Sequence, residues 1–174
     1  AESKQHKKWR IVSTIIQSCL IVILIALVGM MMFEIEHLQG TARVINYAGL
    51  VRGATQREMK LEVSGRQNDE LIQYLDDILS GLKYEDGNYD LISLDDKEYQ
   101  KKLDEQIHYW EDLKEEIQKV RDVGYRMTNI VDMSEKYFHL ADETVSAAEN
   151  YSEKIAKEKI GLVKDNEIIF KENK

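Results

Sequence analysis

The stretch from Leu38 to Met59 decides the fold, and it reads LQGTARVINYAGLVRGATQREM. Small and apolar residues recur in it at alternating spacings of four and three, the heptad pattern of a helix that packs along a partner helix. A second stripe, offset from the first, includes Val44, Val51 and Ala54. Two stripes predict packing both within the domain and against another subunit. The first stripe, our predicted homodimer interface, comprises Leu38, Ala42, Ile45, Gly49, Arg52, Gln56 and Met59.

An apolar segment, Ile11 to Phe33, precedes this helix and contains no Asp, Glu, Lys or Arg. Its 23 residues give roughly 34 Å of helix at about 1.5 Å per residue, enough to cross a hydrocarbon core of about 30 Å. Basic residues precede the segment and acidic residues follow it, so the positive-inside rule predicts a cytoplasmic N-terminus. We therefore expect a cytoplasmic tail over 1–10, a transmembrane helix over 11–33 and an extracytoplasmic sensor domain over 34–174 of a cell-membrane protein.

A cleavable signal peptide is the alternative for this segment. The apolar stretch is long for the hydrophobic region of a signal peptide, and no small-x-small cleavage site follows it. The sequence therefore favours an uncleaved anchor.

Composition limits the function of the extracytoplasmic part. The chain has a net charge of −8 although its first ten residues are basic, and an acidic domain argues against binding nucleic acid. The single cysteine, Cys19, lies inside the apolar segment, so residues 34–174 are held together by packing without a disulfide. There is no proline, which favours long helices.

Turn signals divide residues 34–174 into four helices. We expect helix one to end near Glu62, before Ser64-Gly65, with Asn68 and Asp69 starting the next helix. We expect helix two from Asp69 to Ser80, with Gly81 as its stop, and then an exposed loop over 83–90. Helix three is expected from Asp96 to Asp122, capped by Ser93 or Asp95. After a turn at Gly124, helix four is expected from Val131 to beyond Leu162.

The predicted fold is all-α, an up-down-up-down four-helix bundle whose first helix is continuous with the transmembrane helix. Helix four shows no stop signal up to Ile168, Ile169 and Phe170, and in this topology it returns to the membrane side. We therefore expect a second span after residue 174.

Arg52 is the main candidate for binding a ligand. A charged residue at a seam position is costly unless it is paired, and Gly49, one turn earlier, lets a ligand approach the backbone. If two copies of helix one meet about a two-fold axis, their Arg52 side chains converge and can bind a small oxyanion in a bidentate way. The alternative is structural: Arg52 pairs with Glu58 or Glu62, or reaches water.

No motif for catalysis, metal binding or a cofactor is present. His37, His108 and His139 lack ligand spacing, and the chain carries no HExxH, nucleophile triad, phosphate loop or nucleotide fingerprint. We therefore predict no catalytic residue, no metal site and no cofactor.

The segment Ile45-Asn46-x-Ala48-Gly49-x-x-Arg52, with Gln56 and Arg57 following, resembles the first periplasmic helix of bacterial sensor domains of the nitrate/nitrite sensor kinase and type IV pilus chemotaxis-transducer kind. The resemblance is specific over about a dozen residues. It implies a four-helix bundle between two membrane spans that works as a parallel homodimer. It also implies that Gly49 and Arg52 contact a small anion at the dimer interface. Asn46 and Arg57, in or next to the same segment, are our further candidates for ligand binding.

The sequence thus predicts the sensor domain of a bacterial transmembrane receptor whose output is a histidine kinase, a diguanylate cyclase or a chemotaxis transducer. The rival is a membrane-anchored coiled-coil scaffold without a ligand. An enzyme is disfavoured because no catalytic constellation occurs.

Overall fold

The computed structural model of the chain describes the backbone of residues 2–160 and the side chains of residues 8–158. All regular structure in this range is helical, which confirms the all-α class. The elements are α1 (Glu2–Val63), α2 (Asp69–Tyr84), α3 (Lys97–Val123), a 3-10 turn at Tyr125–Met127 and α4 (Ile130–Ile160). The predicted continuation of helix four through Ile168 to Phe170 lies outside the described residues.

The chain divides after Gln39 into two compact units, and α1 contributes residues to both. In the first unit the large apolar side chains from Ile11 to Phe33 are exposed. The hydroxyls of Thr14 and Ser18 donate to the backbone oxygens four residues earlier, at 2.9 Å each, so these polar groups are satisfied inside the helix. Within the described range, one helix is long and apolar enough to cross a membrane.

The end of α1 and the start of α2 follow the predicted turn chemistry. Gly65 adopts a positive φ of 71°, and its amide donates to the oxygen of Glu62 at 2.9 Å. The side chain of Asn68 then caps α2 by accepting from the amide of Leu71 at 3.1 Å. Glycine in the left-handed region followed by an Asn cap accounts for the separation of the two helices.

Gly81 does not stop α2, contrary to the sequence prediction. The helix continues to Tyr84 and ends where Glu85 turns left-handed at φ 59°. Gly81 is buried, and a Cβ there would lie 3.0 Å from the backbone oxygen of Asp86 and 3.1 Å from a methyl of Leu91. Its missing side chain therefore lets the following loop fold back over the helix.

The start of α3 also differs in its cap. Asp96 caps the helix by accepting from the amide of Tyr99 at 2.9 Å, so the prediction of Ser93 or Asp95 as the cap is wrong. The Ser93 hydroxyl instead accepts from the Gln100 side chain at 3.1 Å. Gly124, at φ 84°, ends α3 and forms the predicted turn.

The second unit has one core to which all four helices contribute. Trp110, Tyr99 and Tyr137 are its largest fully buried side chains. The α1 face in this core is the 4-3 repeat Val44, Ala48, Val51, Thr55, Glu58 and Glu62, all buried. Two residues of the loop between α2 and α3, Leu91 and Leu94, close the core. This buried face shares Val44 and Val51 with the second predicted stripe, whereas Ala54 is only partly buried. Most of the first stripe remains at the surface.

Candidate functional site

Arg52 joins α1 to α4 across the surface of the second unit. Its guanidinium donates to the Asp142 carboxylate, and its Cζ lies 5.7 Å from the centre of the Phe138 ring. The side chains of Arg52 and Asp142 are 36% and 51% exposed. The site is thus a half-exposed ion pair between two helices that stacks on an aromatic ring.

Arg52 pairs with neither Glu58 nor Glu62. The sequence-based suggestion that one of these two acids forms its structural ion pair is therefore wrong. Glu58 follows six residues later, which places it about 240° around the helix from Arg52. It and Glu62 lie on the buried face. Asp142 instead neutralises the charge of Arg52 within one chain.

Asn46 and Arg57, two of the other predicted ligand residues, point away from Arg52 within one chain. Asn46 and Arg57 are exposed on α1, and Arg57, five residues after Arg52, points about 140° away from it around the helix. Gly49 is half-buried, and a Cβ built there would meet nothing within 4 Å. Packing inside this chain therefore does not require glycine at position 49.

Most of the predicted dimer stripe is accessible. Ala42 is exposed, and Leu38, Ile45, Arg52 and Gln56 are partly exposed. Met59, in contrast, is 5% exposed and belongs to the core of its own chain.

A buried cluster of acids was missed at the sequence level. Glu62 is 3% exposed, and the Nε of Arg121 on α3 contacts both of its carboxylate oxygens at 3.1 Å. The same guanidinium donates to Asp69 at the start of α2 at 2.7 Å. These bonds raise the pKa of Arg121, so it stays charged and clamps α1, α2 and α3 together.

Glu58 lies beside this clamp without a cation of its own. It is 0% exposed, and neither of its oxygens accepts a hydrogen bond. Burial, followed by the neighbouring Glu62 carboxyl, raises the pKa of Glu58 from 4.5 to about 7. A signal for this cluster existed in the sequence, since both acids continue the 4-3 repeat of Val44, Ala48, Val51 and Thr55.

Another charged contact lies between α2 and α3. The indole N–H of Trp110 donates to Asp76 at 2.6 Å, and the Lys114 ammonium donates to the same oxygen at 2.8 Å. Asp76 therefore satisfies the one polar atom of the largest core side chain.

Metal-ligand clusters do not occur in the part of the chain that the structure describes: no three His, Cys, Asp or Glu side chains come close enough to share an ion. His108 and His139 are exposed there.

Comparison of the chain with protein-family models, with curated proteins and with solved structures gives no match in any of the three. The resemblance at residues 45–57 to bacterial sensor domains thus stays a prediction, and the case for function depends on the geometry around Arg52.

Proposed function

We propose that this chain carries the extracytoplasmic sensor domain of a bacterial transmembrane signal-transduction receptor, and that a small anion binds it at Arg52. The observation that carries the proposal is the half-exposed pair between Arg52 and Asp142, which links α1 to α4. The helix that holds Arg52 is the one that contains the apolar segment. A change at this pair therefore acts on the element proposed to cross the membrane.

The proposed architecture is an up-down-up-down four-helix bundle. Side-chain pairs support an antiparallel arrangement of α3 and α4. On α3, Lys102 contacts Glu143 of α4, and the later residue Gln106 contacts the earlier residue Tyr137. The contacts between α2 and α3 also indicate an antiparallel pair. Asp76 contacts Trp110, and the later α2 residue Lys83 contacts the earlier α3 residue Asp104. Short connections, 64–68 and 124–129, also favour antiparallel neighbours.

The proposed mechanism is competition for the guanidinium of Arg52. A planar oxyanion can take two parallel hydrogen bonds from arginine, and the exposed Asp142 carboxylate is the group that it would displace. Displacement of Asp142 from Arg52 would remove the ion pair that joins α4 to α1 at these two residues. An anion that binds only the conformation without the Arg52–Asp142 pair shifts the population of the protein towards that conformation. Anion binding would thereby change the contact between α1 and α4.

A second copy of the chain would complete the site. The half-exposed Gly49 has open space at its Cβ, so it is free to let another helix approach closely. Asn46 and the apolar Leu50 are exposed on the same helix. We propose that two α1 helices pair in parallel along the stripe that contains Ile45, Gly49 and Arg52.

Arg52→Ala is expected to abolish stabilisation by the anion. For the full chain in detergent, a panel of nitrate, nitrite, sulfate, phosphate and acetate should contain at least one anion that raises the melting temperature of the wild type. The expected rise is roughly 5–10 °C at about 100 times its Kd, because the anion binds only the folded state. Differential scanning fluorimetry measures this shift.

Two variants are the controls for that experiment. Arg57→Ala removes the same charge from an exposed position of α1 and should keep the response, whereas Arg52→Lys should restore little, because an ammonium lacks the two-pronged geometry. If no anion shifts the wild type, or if Arg52→Ala responds equally, Arg52 belongs to a structural ion pair.

Cysteine cross-linking tests the proposed pairing. In a Cys19→Ser background in membranes, single cysteines at Leu38 or Ile45 should cross-link between subunits at least several-fold more than one at Arg43. Arg43 is the control because it lies off the stripe, where it contacts Asp90. Equal cross-linking at all three positions would contradict this register.

A membrane-anchored helical scaffold without a ligand is the second candidate. It is favoured by one observation: Asp142 already neutralises Arg52 within a single chain. The anion panel separates the two candidates, since a scaffold predicts no response from any anion.

A further inference from the structure

Glu58 is the least satisfied polar side chain in the core. Its side chain is fully buried, and both carboxylate oxygens lack a hydrogen-bond partner. An ionised carboxylate in such a position is strongly unfavourable. The protonated acid needs only one acceptor for its O–H, and the carboxyl of Glu62, one helical turn later, is the neighbouring group that, after burial, raises the pKa of Glu58.

The charged groups that act on Glu58 come from three helices. Glu62 on α1 and Asp69 at the start of α2 are negative, and Arg121 on α3 is the positive group. Arg121 is already shared between Glu62 and Asp69. The face of α4 buried in the same core presents Ile130, Ser134 and Tyr137, none of which is charged near neutral pH. Burial raises the pKa of Tyr137 further above its usual range.

We infer that Glu58 is a proton-controlled switch in the core of the domain. With its proton, Glu58 donates a hydrogen bond to Glu62 and leaves Arg121 to hold Glu62 and Asp69. Without its proton, Glu58 is a third carboxylate that competes for the Arg121 guanidinium. Asp69 is the acid it displaces first, because that side chain is 79% exposed and regains water on release. Proton loss therefore loosens the start of α2 from α3.

The direction of the pH dependence follows from the raised pKa. Since the folded protein holds the Glu58 proton up to a pKa of about 7, against 4.5 for the free acid, Glu58 stabilises the fold fully below about pH 4.5. This stabilisation is lost as the pH rises through 7. The inference concerns a different side chain from Arg52 and stands whether or not an anion binds there.

The test compares urea unfolding of the full chain in detergent at about pH 5 and pH 8. From the two pKa values, the wild-type folding equilibrium should weaken by roughly 70-fold between these two pH values relative to that of Glu58→Gln, which cannot ionise. Both proteins contain the same histidines, so the difference between them isolates Glu58. The matched control is Glu115→Gln, an exposed position on α3 that should follow the wild type.

Hydrogen exchange provides the second measurement. After correction for intrinsic rates, the amides of residues 69–72 should exchange faster at about pH 8 than at about pH 6 in the wild type, by up to roughly 10-fold, and not in Glu58→Gln. Glu58→Met is an independent non-ionisable variant should glutamine not fold. The inference is overturned if wild type and the non-ionisable variant show the same pH dependence of stability, or if exchange at residues 69–72 rises equally in both.

Discussion

Replacing Arg121 by leucine is expected to lower the free energy of unfolding by about 3–5 kcal/mol, because it leaves the buried Glu62 carboxylate without its cation. The Glu62 side chain is 1% exposed and that of Arg121 is 11% exposed, so water cannot take the place of the guanidinium without opening the core. Urea unfolding of the full chain in detergent, followed by circular dichroism at about pH 8, measures the loss.

A second substitution separates the buried charge from the loss of packing. Arg121→Leu combined with Glu62→Leu removes both partners and should recover most of the loss, since replacing a whole buried pair by apolar groups is often neutral. The control is Lys101→Ala, whose exposed pair with Glu105 on the same helix contributes about 0.5 kcal/mol at most. If Arg121→Leu costs no more than Lys101→Ala, the clamp does not hold the three helices together.

Trp110→Ala should be comparably damaging, at about 3–5 kcal/mol. The indole is 1% exposed, its ring centre lies 5.6 Å from that of Tyr137, and its N–H donates to Asp76. The substitution empties the centre of the α3–α4 contact and removes a hydrogen bond to α2. The same unfolding experiment measures the change.

Trp110→Phe should fall between alanine and the wild type, because it keeps a ring in the core and loses only the N–H and part of the volume. Tyr84→Ala is the control, since this aromatic ring is 71% exposed and its removal should change stability by about 0.5 kcal/mol or less. Equal effects of Trp110→Ala and Tyr84→Ala would contradict the assignment of Trp110 to the core.

The helices were predictable because their signals are local. Gly65 with Asn68 and the turn at Gly124 depend on backbone conformation and capping within a few residues, and each lies where the sequence placed it. Gly81 was misassigned for the opposite reason. Its role depends on the loop at Asp86 and Leu91 folding back over the helix, which capping rules do not describe.

The candidate site was predictable only in part. Arg52 was singled out by its seam position, but its partner Asp142 is 90 residues away in the sequence and no local rule links the two. Glu58 and Glu62 occupy a 4-3 repeat with Val51 and Thr55, a pattern that indicates burial. Their counter-charge, Arg121, comes from α3, and only the tertiary contact identifies it.

The central claim is that an anion and Asp142 compete for Arg52. Isothermal titration calorimetry of the full chain with the anion of the panel that gives the largest rise in melting temperature tests it most directly in the wild type, Asp142→Asn and Arg52→Ala. This anion should bind about 10-fold more tightly to Asp142→Asn than to the wild type and show no binding heat with Arg52→Ala. Absence of binding to Asp142→Asn, or equal affinity in Arg52→Ala, would contradict it.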